Sequence, residues 1–183
     1  MRNGSDERDA VDVRVSRRAD APHAEEASRM IAEASREHDI ALREVEWLRK
    51  KIEGGRAAVA LRGEELVGFG YWSEWEDGRF VSHSGLVVRP ELRGRGLGRR
   101  LKTVLLEESR RRFPRASLMS LTTSKEVKRM NLSLGFRPVP LERLTTDPAF
   151  WEGCRGCSNY EEVQRRGEKC CCEGLILEPE SAS

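Results

Sequence analysis

A chain of 183 residues is long enough for one hydrophobic core of ordinary size and too short for two comfortable domains. Its 33 basic and 31 acidic side chains leave a formal net charge of +2, so no global positive field gathers nucleic acid, which is excluded as an expected partner. No apolar run approaches the roughly 20 residues that cross a bilayer, and Met1 to Ala10 is charged without an apolar signal region, so a cytoplasmic protein with no membrane partner is expected.

Residues 1–10 and 179–183 are polar and are read as disordered tails. Between them Val11, Val13 and Val15 alternate with polar residues as in a half-buried strand over Val11 to Arg18. Ala24, Ala27, Met30, Ile31 and Ala34 predict a first helix entered through Pro22, and Ala41, Val45, Leu48 and Ile52 predict a second that stops at Gly54-Gly55. Ala57 to Leu61 and Leu66 to Trp72 are strand-like runs joined by a short turn, and Asp77-Gly78 signals a hairpin into a strand over Phe80 to Val88. Further on, Leu118 to Thr123 reads as a strand, Ser124 to Leu134 as a short helix, Phe136 to Leu144 as a strand, and Leu175-Ile176-Leu177 as a last strand. Trp47, Trp72 and Trp75 are expected in the core or on a cleft wall.

Between Val87 and Leu101 an apolar strand breaks into a glycine-rich, arginine-flanked turn. After Gly94, Gly96 and Gly98 the apolar residues Leu97, Leu101, Val104 and Leu105 form a one-sided helical stripe, so a helix begins at the glycines. Its first amides have no intrahelical partner and sit at the positive end of the helix dipole, a place for an anion that glycine lets come close. The acidic residue and strand order of a dinucleotide fold and the Gly-Lys-Ser/Thr of a nucleoside-triphosphate loop are both missing.

The segment resembles the acyl-CoA loop of the GNAT N-acetyltransferase family. That family's Arg/Gln-x-x-Gly-x-Gly/Ala signature is matched by Arg93, Gly96 and Gly98, after a hydrophobic-x-x-Pro lead from Val87 to Pro90. Asn131-Leu132-Ser133-Leu134-Gly135-Phe136 is similar to the ending of the family's helix beside the cofactor. The resemblance implies a GNAT α/β (α+β) fold over about residues 11 to 144, with a mixed, mostly antiparallel central sheet flanked by helices. It also implies acetyl-CoA or another acyl-CoA as cofactor, held by Leu86, Val87, Val88, Arg93, Gly94, Arg95, Gly96, Leu97, Gly98, Arg99 and Asn131.

The implied reaction is attack of a neutral amine on the acyl-CoA thioester, which needs a proton acceptor. Where relatives often carry Glu this chain has His83, whose reference pKa near 6.5 suits a base. Many relatives protonate the departing thiolate with a Tyr where Asn131 stands here, and an amide cannot do so; either the thiolate leaves unassisted, or a water, Ser133 or Tyr160 substitutes. Leu121-Thr122-Thr123-Ser124 and the helix after it are similar to the acetyltransferase domain of N-acetylglutamate synthases, which points to a small amine or amino acid, glutamate included. Arg89, Lys125, Lys128 or Arg129 could clamp its carboxylate.

All five cysteines fall in residues 145–178, a cysteine-rich insertion before and including the last strand. In a cytoplasmic chain two close pairs suit tetrahedral zinc better than disulfides. Cys154 and Cys157 supply one pair; Cys170 and Cys172 supply the other, with Cys171 expected to face away. An iron–sulfur centre, or reduced or partly oxidised thiols packed under Phe150-Trp151, are the alternatives. The expected protein is an acyl-CoA N-acyltransferase with a C-terminal cysteine knuckle. A protein lysine or N-terminal acetyltransferase, or a catalytically silent acyl-CoA sensor or zinc-binding module, are the rival readings, and a homodimer is left open.

Overall fold

The structure, a computed structural model, describes residues 10–179. The tails expected at 1–10 and 179–183 lie outside the described residues except for Ala10 and Pro179. Seven strands form one sheet in the order β1-β2-β3-β4-β5-β7-β6. β1 (Val11–Val15), β2 (Ala57–Arg62), β3 (Glu65–Trp75) and β4 (Phe80–Val88) pair antiparallel in sequence order. The β2 to β3 turn uses Gly63 at φ +60°, and the β3 to β4 hairpin puts Glu76, Asp77 and Gly78 at positive φ, a conformation that Asp and Gly tolerate best.

Side chains alternate across β2: Val59 joins one core with Ile31, Leu48, Ile52 and Phe69, while Ala58 and Ala60 join another with Leu101, Leu105 and Leu118. Helices α1 (Ala24–Ala34) and α2 (Val45–Glu53) therefore cover one face and α3 (Leu97–Arg112) the other. α3 connects β4 to β5 (Ser117–Thr122), which lies parallel to β4, as a crossover helix allows. α4 (Lys125–Ser133) begins where the Ser124 hydroxyl accepts the Val127 amide at 3.3 Å, an N-cap.

The strand expected over Phe136 to Leu144 is shorter, β6 (Arg137–Val139), followed by a single turn at Leu141–Arg143. Pro138 and Pro140 have no N–H for a ladder, which confines this segment to the edge of the sheet. β7 (Glu173–Leu177) returns between β5 and β6 and pairs antiparallel with both. Its Leu175 is fully buried in the α3-side core, so the last strand completes the same sheet as the first six. Between β6 and β7 lie α5 (Pro148–Glu152), capped by the Asp147 carboxylate on the Ala149 amide at 2.9 Å, and α6 (Tyr160–Arg165). Among the described residues no helix is long and apolar enough to cross a membrane.

Candidate active site

β4 and β5 pair only over Phe80–Ser82 and Ser117–Met119. Beyond that the strands part, at a bulge where the β3–β4 register shifts between Phe69 and Tyr71 and Gly85 takes φ +61°. A Cβ on Gly85 would sit 2.4 Å from Cε1 of the buried Tyr71 ring, so this bend requires glycine. Leu86, Val87 and Val88 are left bordering a cleft of about 1150 Å³. A peptide-like arm can lie there as an added strand, using backbone groups that β5 does not reach.

At one end the cleft meets the start of α3. Gly94 at φ +74° and Gly96 at φ +78° turn the chain, and Gly96 caps the helix. A Cβ at either position would meet nothing within 4 Å, so conformation, rather than crowding, calls for glycine. The amides of Leu97, Gly98 and Arg99 occupy the first turn, where no helical carbonyl can accept from them. Arg93 donates from Nε to the Val88 carbonyl at 3.1 Å and pairs with Glu37 at 3.2 Å, which ties the loop to the strand. Arg93, Gly94, Gly96, Leu97 and Gly98 all line the cleft. Arg95 is exposed outside the lining, and Arg99 is turned to the Ser133 hydroxyl of α4.

The floor carries His83 and Lys102, both buried and both lining the cleft. His83 Nε2 shares a hydrogen bond with the Ser109 hydroxyl at 2.9 Å, while Nδ1 has no partner among the described residues. Burial, and then the charges of Lys102 and Arg110, push the imidazole well below its ordinary 6.5, so it stays neutral and is a poorer base than its residue type promises. Lys102 has no carboxylate partner among the described residues; its ammonium sits 4.8 Å from the Phe136 ring centroid. Burial pushes its pKa down to about 7. Asn131 is buried away from the cleft lining, with Nδ2 on the Ser120 hydroxyl at 3.2 Å and Oδ1 unpartnered among the described residues. The expected contact between Asn131 and the cofactor is therefore not made from the wall; its amide braces Ser120, which does line the cleft. Ser133 and Tyr160 do not line the cleft either.

The other end is assembled from distant segments. Arg43, just before α2, donates to the carbonyls of Leu42 at 2.8 Å and Gly153 at 3.0 Å, and also meets the Tyr71 hydroxyl. Those partners are neutral. Trp47 stacks edge-on with Tyr71 at 4.9 Å, and Trp75 donates to the Ser82 hydroxyl at 2.8 Å while packing on Phe150. Trp47 and Trp75 line the cleft, whereas Trp72 is core. The clamp residues expected from sequence are occupied or remote. Arg89 is held by Glu26 and Glu65, Lys128 by Glu173, and exposed Lys125 and Arg129 are outside the lining. Arg43 and Lys102 were not singled out in the sequence. The available signal for Lys102 was a cation flanked along α3 by Gly98, Leu105 and Ser109, none of which marks a solvated face.

The cysteines close this end. Cys154, Cys157, Cys170 and Cys172 line the cleft, and all five thiols are free. Cys171 does not face away as expected: residues 170–172 bend, and their three sulfurs lie within 4.8 Å of one another. Thiols of Cys154 and Cys172 donate to Cys170, which lowers its pKa and raises those of both donors.

A parted sheet edge leading to an open helix start is the architecture of an acyl-CoA-dependent acyltransferase. The model of the acetyltransferase (GNAT) family matches residues 21–136, and the chain belongs to that family. Among solved structures the fold is shared with N-acetylglutamate synthase from Neisseria gonorrhoeae, complexed with coenzyme A and N-acetyl-glutamate. That match has a TM-score of 0.66 and 17% identity, covering 94% of this chain but only 36% of that one. Rv2747 from Mycobacterium tuberculosis, in complex with CoA and NLQ, matches at TM-score 0.64 and 17% identity, covering 91% and 98% of the two chains. Diaminobutyrate acetyltransferase EctA from Paenibacillus lautus, bound to L-2,4-diaminobutyric acid and coenzyme A, matches at TM-score 0.61 and 10% identity, covering 95% and 98%. Among curated proteins no sequence matches significantly.

Proposed function

We propose that this cleft transfers an acetyl group from acetyl-CoA to the amine of a small, carboxylate-bearing acceptor, of which a free amino acid such as glutamate is the best fit. The observation that carries this reading is Arg43, a cation with neutral partners at the end of the cleft opposite the anion-binding helix start. A carboxylate there would gain charge-assisted hydrogen bonds while its amine points back toward the β4 bulge. The amino-acid ligands named for the Neisseria and Paenibacillus structures support the same acceptor class.

In this reading the α3 amides hold the diphosphate and the pantetheine arm runs along Leu86 to Val88. The amine nitrogen attacks the thioester carbon, the C–S bond breaks, and its electron pair leaves on sulfur. The base role expected of His83 passes to Lys102, whose free amine is well populated near pH 7. Lys102 takes the proton shed by the amine and returns it to the thiolate, so one group serves in place of the missing tyrosine. His83, held neutral, orients groups on the floor through its unpaired Nδ1. The cytoplasm, where thiols stay reduced, suits this reading.

The test is thiol release from acetyl-CoA across a panel of amino acids, simple amines and peptides. Turnover on a free amino acid is expected. Turnover confined to peptides would replace this reading with a protein acetyltransferase, and calorimetric uptake of coenzyme A without turnover on any amine would replace it with a sensor.

A further inference from the structure

From Thr146 to Cys172 the chain runs through α5 and α6 with Val163 as its one buried residue. So little apolar burial does not offset the entropy of ordering that many residues. Yet the segment is held in a defined place. The Leu42 amide donates to the Gly156 carbonyl at 2.9 Å, Arg43 to Gly153, and the Asn159 side chain to Asp39 at 2.6 Å. At Gly156 a Cβ would fall 2.8 Å from the Leu42 carbonyl oxygen, so the two backbones touch. Phe150 and Trp151 anchor its start against Phe80, Leu144 and Ile176, and beyond them what the segment has besides Val163 is sulfur.

We propose that Cys154, Cys157, Cys170 and Cys172 bind one zinc ion, and that this metal builds the wall of the acceptor end of the cleft. Tetrahedral thiolates with Zn–S bonds of about 2.3 Å stand roughly 3.8 Å apart, a spacing that the converging sulfurs of residues 170–172 already approach within 4.8 Å. Cys154 reaches the same group through its hydrogen bond to Cys170. Cys154 and Cys157 lie on one turn, the Cys157 amide donating to the Cys154 carbonyl at 2.9 Å, which suits a two-thiolate chelate. Five sulfurs compete for four positions. Cys171 converges with Cys170 and Cys172, but its sulfur accepts the Asn159 amide at 3.6 Å and it lies outside the cleft lining that the other four share, so it is the one left over. Arg43 donates to the Gly153 carbonyl at 3.0 Å, the residue next to Cys154. The metal thus also fixes the cation that the proposed function assigns to the acceptor. The wall role rests on that reading; the metal itself does not.

The experiment measures metal in purified protein, its release to a chromophoric chelator, and the spectrum after cobalt substitution. One equivalent of zinc is expected, with tetrahedral thiolate-to-cobalt bands. Cys171→Ser should keep the metal, while Cys154→Ser and Cys172→Ser should lose it. No zinc after refolding with the metal, or iron with labile sulfide, would overturn the site, and zinc retained in Cys154→Ser or lost in Cys171→Ser would overturn the ligand set. Calorimetry with coenzyme A shows whether each variant keeps the α3 site folded. Chelation should raise the acceptor KM by about 10- to 100-fold and leave coenzyme A affinity within about twofold. An unchanged acceptor KM would overturn the wall role, whereas a metal-loaded protein that acetylates nothing would overturn the transferase reading and leave the zinc site standing.

Discussion

At the end proposed for coenzyme A the cleft is made of backbone: a bulged strand edge, two left-handed glycines and the first amides of a helix, contributed by residues 85–99 in one continuous run. The acceptor end is made of side chains brought from the loop before α2, from β3, and from the insertion before β7. Backbone recognition depends on conformation, which a short motif can encode. Side-chain recognition depends on tertiary meeting, so it can vary while the donor end stays the same. The comparison predicts that damage at one end leaves affinity at the other nearly intact.

Lys102 lies between the two ends and should give the largest effect. Lys102→Met should lower kcat by about 10²- to 10⁴-fold with little change in coenzyme A affinity. A buried, unpaired ammonium opposes folding, so the same variant should be more stable by about 1–4 kcal/mol at neutral pH. The sign of its pH dependence follows from the lowered pKa: the unfolded chain holds the proton up to about 10.5 and the folded one only to about 7. Native stability therefore rises with pH across that window, and the advantage of Met, greatest below pH 7, shrinks as pH climbs. Denaturant melts from pH 6 to 10 check it, and a variant less stable at every pH would assign Lys102 a packing role. The titratable group facing Lys102 from β4 is His83, with Arg110 further along α3; Ser120 on β5 and its partner Asn131 on α4 do not titrate.

Gly96→Val tests the donor end alone. A β-branched residue at φ +78° carries strain of about 1–3 kcal/mol, so coenzyme A affinity measured by calorimetry should fall about 10- to 100-fold. Arg43→Met tests the other end. Loss of a charge-assisted pair is worth about 1.5–3 kcal/mol, so the acceptor KM should rise roughly 10- to 100-fold at an unchanged coenzyme A dissociation constant. A parallel loss of coenzyme A affinity would dissolve the contrast between the ends. Arg99→Ala should do least: its side chain is exposed and engaged with Ser133, so coenzyme A affinity should drop by no more than about fivefold, about 1 kcal/mol.

The donor end was legible in the sequence because Gly94, Gly96 and Gly98 sit next to the apolar stripe they introduce, and each feature signals through its neighbours. The meander was legible for the same reason, through Asp77-Gly78 and the runs beside it. Arg43 was not, because a cation in a polar stretch looks solvated until Gly153 and Tyr71 are seen to surround it. Asn131 kept its place on α4 but turned inward to Ser120, a rotation about the helix that spacing leaves open. The bend at residues 170–172, which gathers Cys171 with its neighbours, carries no turn signal of the Gly or Pro kind.

The interleaving of β7 between β5 and β6 also orders events during synthesis. β6 leaves the ribosome with no neighbour to pair with, since Arg137 to Val139 bond only to Gly174 to Ile176. For as long as that partner is untranslated, β5 offers an uncovered edge and the nascent sheet stays one strand short. A metal that draws the intervening loop together would shorten the search that zips this gap shut.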